Sequence, residues 1–181
     1  INPGKFCGFS YFPQRIFRLP SSIESMEKRI IYSLSFAPKI VERLLRVFPT
    51  DRLDDRIMAD AKTPREVISY LADYEQTVLD RIRAANQQPG REMPAYDWNT
   101  ASTDHHYGDK DVFHEAEVYE SRRDMTIEYL EELSDADWDK PFRADGVDYT
   151  IKDYVFKKVV HDLENINHLT LYLATEVATI H

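Results

Sequence analysis

Glycine and cysteine are scarce in this 181-residue chain, which has five of the first and one of the second. Sandwiches, barrels and phosphate-binding loops spend glycine at turns and wherever backbone must approach a ligand, so the scarcity speaks against all three. The lone Cys7 leaves no internal disulfide and no thiolate-rich zinc or iron–sulfur site. Basic residues are outnumbered, 23 Lys+Arg against 32 Asp+Glu, for a formal net charge of −9. Bulk electrostatics therefore do not favour a partner as acidic as nucleic acid. Long apolar runs are missing too: no stretch reaches the roughly 18 residues that a membrane-spanning helix needs. The N-terminus lacks the basic, apolar, small-residue order of a secretory leader. G-x-S-x-G, P-loop and G-x-G-x-x-G patterns do not occur, so nucleophile-elbow and nucleotide readings have no support. From these absences we expect a cytoplasmic protein with neither nucleic acid nor membrane as partner.

What is present is material for a core: 43% hydrophobic residues, with aromatics at 12%. Residues 1–25 carry Pro3, Pro13, Pro20, Gly4 and Gly8 and read either as an extension or as an irregular arm packed through Phe6, Phe9, Tyr11, Phe12 and Phe17. The folded domain is expected over 26–181. Four segments in it have helical periodicity. The first, about Met26–Phe48, contains Pro38 and should kink or break near Phe36–Ala37. The second, about Pro64–Asn86, begins with Thr63-Pro64-Arg65-Glu66, a cap, a first-turn proline and a capping-box acid in register. The third is about Asp111–Leu133. The fourth, about Ile151–Thr175, is capped by Thr150 with Asp153 three residues on, and is apolar nearly all round toward its C-terminus. Residues 87–109 form a long polar connection, and Asp145-Gly146 marks a hairpin turn with flanks short enough for a token strand pair at most. The expectation is an all-α four-helix bundle with one long loop between helices two and three. The apolar last helix suggests a homodimer.

Three stretches then carry a family resemblance. Thr63-Pro64-Arg65-Glu66-Val67-Ile68-Ser69-Tyr70-Leu71-Ala72-Asp73-Tyr74-Glu75 resembles the second-helix signature of the DinB superfamily, roughly W-S-x-R-E-x-x-x-H-L-A-D-x-E. Glu131-Glu132-Leu133-Ser134-Asp135-Ala136-Asp137-Trp138 resembles that family's link between helices three and four. Tyr149-Thr150-Ile151-Lys152-Asp153, followed by His161 and by His168-Leu169, resembles its last helix, which usually carries H-x-x-x-H. The resemblance spans about Met26 to Ala174. It implies an up-down-down-up bundle, often homodimeric, with a divalent zinc or nickel ion on one histidine from helix two and a pair from helix four. Several relatives are thiol-dependent transferases or isomerases.

The pattern is degenerate here. Tyr70 occupies the helix-two histidine position. Aligning the His-Leu pair puts Glu164 and His168 on the helix-four positions; another register puts Asn165 and Leu169 there and abolishes the site. Glu164 and His168 are at i, i+4, one turn apart on one helix face, a workable two-ligand spacing. Tyrosine must lose a proton with a reference pKa near 10 to bind well, so metal is expected to be weak or absent. The expected site is Tyr70, Glu164 and His168 around one cavity, with Asp73 nearby and His161 two turns from His168. The opposing reading is a hydrogen-bonded couple on a partly buried face. His105 and His106 read as surface loop, and His114 as an exposed first turn of helix three. The functional readings are a metal-dependent transferase or hydrolase, a metal-free member that binds a small ligand, and a dimeric stress-associated scaffold.

Overall fold

The computed structural model describes residues 25–56 and 62–178, with side chains described through 174. The expected arm, Cys7 included, lies outside them. The chain runs α1 (Met26–Leu34), α2 (Phe36–Val47), α3 (Pro64–Gln87), β1 (Glu92–Met93), α4 (Trp98–Asp104), α5 (Val112–Glu131), α6 (Asp135–Trp138), β2 (Pro141–Ala144), β3 (Val147–Thr150) and α7 (Ile151–Ala178), with single 3-10 turns at Thr50–Arg52 and Tyr107–Asp109. The first expected helix is broken at Ser35, within a residue or two of the predicted place. Pro38 sits in the first turn of α2, where its missing N–H breaks no helical bond.

The other caps behave as their chemistry dictates. The Thr63 side chain accepts from the Glu66 amide, and Glu66 reaches back to the Thr63 amide, closing the capping box that starts α3. Asp111 accepts from the amides of Phe113 and His114 and so starts α5. Ser134 and Asp137 form a second box around α6.

The bundle's four members are α1–α2 taken together, α3, α5 and α7. Both α3 and the α1–α2 pair pack against α5 and α7. One apolar cluster, with Tyr74, Val78, Ile82, Leu130, Trp138 and Tyr154 in it, fills one part of the bundle; another, with Val41, Leu45, Ile68, Leu71, Tyr119 and Leu169, fills a second.

Strand structure exceeds the expected token pair. β2 and β3 form a four-residue antiparallel hairpin, and β1 adds in parallel beside β2. The hairpin turn places Asp145 at φ 54° and Gly146 at φ 76°, the left-handed pair that a two-residue turn of this hand requires. β1 is recruited because the chain after α3 is tied to β2: the Gly90 amide donates to the Pro141 carbonyl at 2.6 Å, and the Arg143 amide to the Arg91 carbonyl at 2.9 Å. Arg81 locks the assembly from below, donating to both carboxylate oxygens of Asp145 at 2.9 Å and to the Pro94 carbonyl at 2.7 Å. The long connection is thus an ordered cover laid over α3.

Candidate functional site

Three elements meet above the middle of α3. α3 offers Tyr70, Asp73 and Tyr74; α7 offers His161 and Asn165, one turn apart; the 87–109 connection offers Tyr96, Trp98 and Tyr107. Tyr70 Oη lies 2.8 Å from His161 Nε2, and Asn165 Nδ2 lies 3.2 Å from the same nitrogen while donating to the His161 carbonyl at 2.8 Å. Two donors, the phenol and the amide, converge on Nε2. These two contacts favour Nε2 as acceptor, with the ring proton on Nδ1 toward Asp162 Oδ1 at 3.7 Å, whereas the Lys158 ammonium, a donor 3.4 Å from Nδ1, favours the other tautomer. Burial holds His161 below the usual histidine range, with the neighbouring Lys158 ammonium acting in the same direction against the pull of Asp162, so the imidazole is neutral near pH 7. Burial pushes the Tyr70 phenol far up, so it stays protonated and donates.

Aromatic rings box this pair. Tyr70 stacks on Tyr74 at 5.3 Å and meets the Trp98 edge at 4.8 Å, and Tyr96 leans on both tyrosines. The Lys62 ammonium sits 3.5 Å from the Trp98 ring centroid and 4.6 Å from that of Tyr70, with burial holding its pKa down.

Below the box lies a buried ionic cluster. Arg123, 1% exposed, makes a two-pronged 2.7 Å pair with Glu75, which is fully buried, and also approaches Asp162 Oδ2 at 2.8 Å. Lys158 bridges Asp162 at 2.6 Å and Glu75 at 3.3 Å. Two cations face two carboxylates, so the cluster is charge-balanced. The cations depress the Glu75 and Asp162 carboxyls against the opposing effect of burial.

One turn along, α3 presents Asp73, whose Oδ2 accepts from Tyr107 Oη at 2.6 Å and Tyr96 Oη at 3.2 Å and lies 3.0 Å from His105 Nδ1. His105 belongs to the wall of a cavity of about 540 Å³ that Asp73, His106, His114, Lys110 and Arg122 also line. His106 is held at φ 51°, a left-handed conformation that costs a non-glycine residue free energy.

The expected site therefore needs correction in its geometry. Tyr70 and His161 come together, and Asp73 is one turn away as expected, but it faces the connection and His105. Glu164 and His168 are both exposed and do not join Tyr70. The cause is helical phase: α7 buries the face carrying Tyr154, Lys158, Asn165 and Leu169, and His161 borders it, whereas 164 and 168 turn outward. The i, i+4 pair facing Tyr70 is His161 with Asn165. His105 is more than surface loop, since it pairs with Asp73. Sequence reasoning missed Lys158, Asp162 and Arg123. The available signal was that Lys158 and Asp162 are themselves i, i+4 on a helix whose neighbouring positions are apolar, so that charge there had to find partners.

Whether these residues suit a resident metal can be tested on their chemistry. A phenol with a strongly raised pKa keeps its proton, the Nε2 position that an ion would take is already hydrogen-bonded to that phenol, and a carboxamide is a weak donor. Among the described residues no group of three or more His, Cys, Asp or Glu is placed to hold a metal ion. The donor set does not fit a tightly held zinc or nickel.

Residues 33–169 match the DinB superfamily. Among solved structures, the chain superposes on YfiT from Bacillus subtilis, described as a probable metal-dependent hydrolase with an unusual four-helix bundle topology. The TM-score is 0.72 at 18% identity, over 91% of this chain and 94% of that one. No curated protein matches in sequence.

Proposed function

The chain belongs to the DinB superfamily, and on that premise we propose that it is a divergent member that binds a small polar molecule without a resident metal ion. The observation that carries this reading is the Tyr70–His161–Asn165 cluster, in which the family's expected imidazole set is reduced to one neutral imidazole whose Nε2 is already hydrogen-bonded. A cavity one turn along α3, lined by Asp73 and His105 and not by the three cluster residues, has the size of a small-ligand site, about 540 Å³, and its wall is polar and histidine-rich. Asp73 orients the His105 ring through Nδ1 and leaves Nε2 available to a ligand. Tyr96 and Tyr107 fix that carboxylate in turn.

A second reading, a metal-dependent hydrolase of the kind YfiT is described to be, is favoured by one feature: His161 is neutral, the protonation state a metal ligand needs. Elemental analysis of purified protein, paired with a thermal-shift screen of small carboxylates, phosphates and thiols, separates the two. The proposal predicts substoichiometric metal and a shift with at least one compound class, because a ligand that binds only the native state raises its apparent stability. Stoichiometric zinc or nickel would return the metal-dependent reading. No metal and no shift with any class would leave the scaffold reading.

A further inference from the structure

His105 offers a base to the cavity it lines, and its neighbours fix which nitrogen that is. Asp73 Oδ2 lies 3.0 Å from His105 Nδ1. A carboxylate only accepts, so in the neutral ring Nδ1 carries the proton and Nε2 keeps the lone pair. Tyr107 does not give its proton up to that carboxylate. Burial, with the Asp73 hydrogen bond adding to it, holds the phenol far above its usual range, and it donates to Asp73 Oδ2 at 2.6 Å. His105 Nε2 has no hydrogen-bond partner among the described residues.

The backbone is bent to make this arrangement. His105 caps the end of α4, its amide donating to the Ala101 carbonyl at 2.9 Å. His106 takes φ 51°, and the chain enters the 3-10 turn at Tyr107–Asp109. The reversal at His106 brings His105 and Tyr107, two residues apart, onto one oxygen of Asp73. Ser69 Oγ holds the turn by donating to the Tyr107 carbonyl at 3.2 Å. A left-handed non-glycine residue persists only where its surroundings over-determine it, and here those contacts do so. Lys110 and Arg122 line the same cavity. Arg122 spends one N–H on the Ala72 carbonyl at 2.6 Å and Lys110 lies 3.8 Å from Glu115, so each keeps further N–H donors.

We propose that Asp73 and His105 form a hydrolytic pair acting on small acyl esters in this cavity, with His105 as the catalytic base and Asp73 as the positioning residue that holds its tautomer. This rests on reading the cavity as a ligand site. Nε2 takes a proton from water as the water oxygen bonds to the acyl carbon and the carbonyl π pair moves onto its oxygen. That pair then returns, the ester C–O bond breaks, and the leaving alkoxide takes the proton from Nε2, giving one acid and one alcohol. Lys110 and Arg122 supply positive charge toward the oxyanion that develops.

Hydrolysis of p-nitrophenyl acetate by the full chain, dialysed against EDTA, tests the proposal. The wild type should show saturable turnover faster than the same concentration of free imidazole. His105→Ala should lower kcat about 100-fold, and added imidazole should restore part of it with saturation. Asp73→Asn should lower kcat about tenfold or more with KM unchanged, which a loss of folded protein or of binding would not produce. Turnover no faster than free imidazole, or a wild-type rate in His105→Ala, would overturn the proposal. So would a stoichiometric burst of p-nitrophenolate, which would make Nε2 the nucleophile. A thermal shift with a small compound but no turnover would sink the hydrolytic pair and leave the cavity standing as a ligand site. Turnover abolished by EDTA would overturn both, in favour of a metal.

Discussion

Two polar clusters are built on α3 little more than a turn apart, and they differ in kind. The one around Glu75 is ionic, charge-balanced and almost wholly buried, with Arg123, Lys158 and Asp162 closing it from α5 and α7. The one around Tyr70 is made of neutral groups and lies under an aromatic cover supplied by the connection. Buried charges make removing any one partner expensive, because the others are stranded in a medium of low dielectric. Neutral donors and acceptors can exchange partners at small cost. The ionic cluster therefore fixes how the helices meet, and the neutral one can change its hydrogen-bond partners at small cost.

The largest expected effect follows directly. Arg123→Ala should destabilise the fold by about 3–5 kcal/mol, whereas Tyr70→Phe should cost no more than about 1.5 kcal/mol. Urea unfolding of both variants checks this, and equal losses would erase the distinction drawn between the clusters.

Acid comes next. Glu75 and Asp162 have depressed folded-state pKa values. Below their unfolded values near 4 the unfolded chain binds more protons than the native one, so stability falls as pH drops through that range. Melting temperature against pH should decline steeply below about pH 4.5, and Arg123→Ala should flatten that decline.

His161 contributes a smaller step of the same sign at higher pH. Its folded-state pKa is lowered, so between the unfolded value near 6.5 and the folded value the unfolded chain again binds the extra proton. Stability should decrease as pH falls through that window and level off below the folded pKa. His161→Gln should remove the step while leaving the acid decline in place.

The parts of this molecule that were legible in the sequence are those governed by local chemistry. Thr63-Pro64-Arg65-Glu66 starts α3 because capping needs only residues three apart, and Pro38 dictates a break one turn back or less. The helix-four pair was misplaced because the choice between 161/165 and 164/168 is a choice of helix rotation. That rotation is settled by what the opposite face buries, and the Lys158 and Asp162 charges that help anchor it find their partners on α3 and α5, far away in sequence. The connection looked like a loop because β1 exists only through its pairing with β2, some fifty residues later. His105 looked solvated for the same reason: its partner Asp73 is on another element.

Metal titration compares the neutral cluster with the imidazole set it replaces and bears most directly on the central claim. Calorimetry with zinc and with nickel should show weak or no binding to the wild type. Affinity should rise in Tyr70→His and rise further in Tyr70→His with Asn165→His, where three neutral imidazoles converge and no phenol need lose its proton. Tight one-to-one binding by the wild type that is lost in His161→Ala, or equal affinity across all three proteins, would contradict the account.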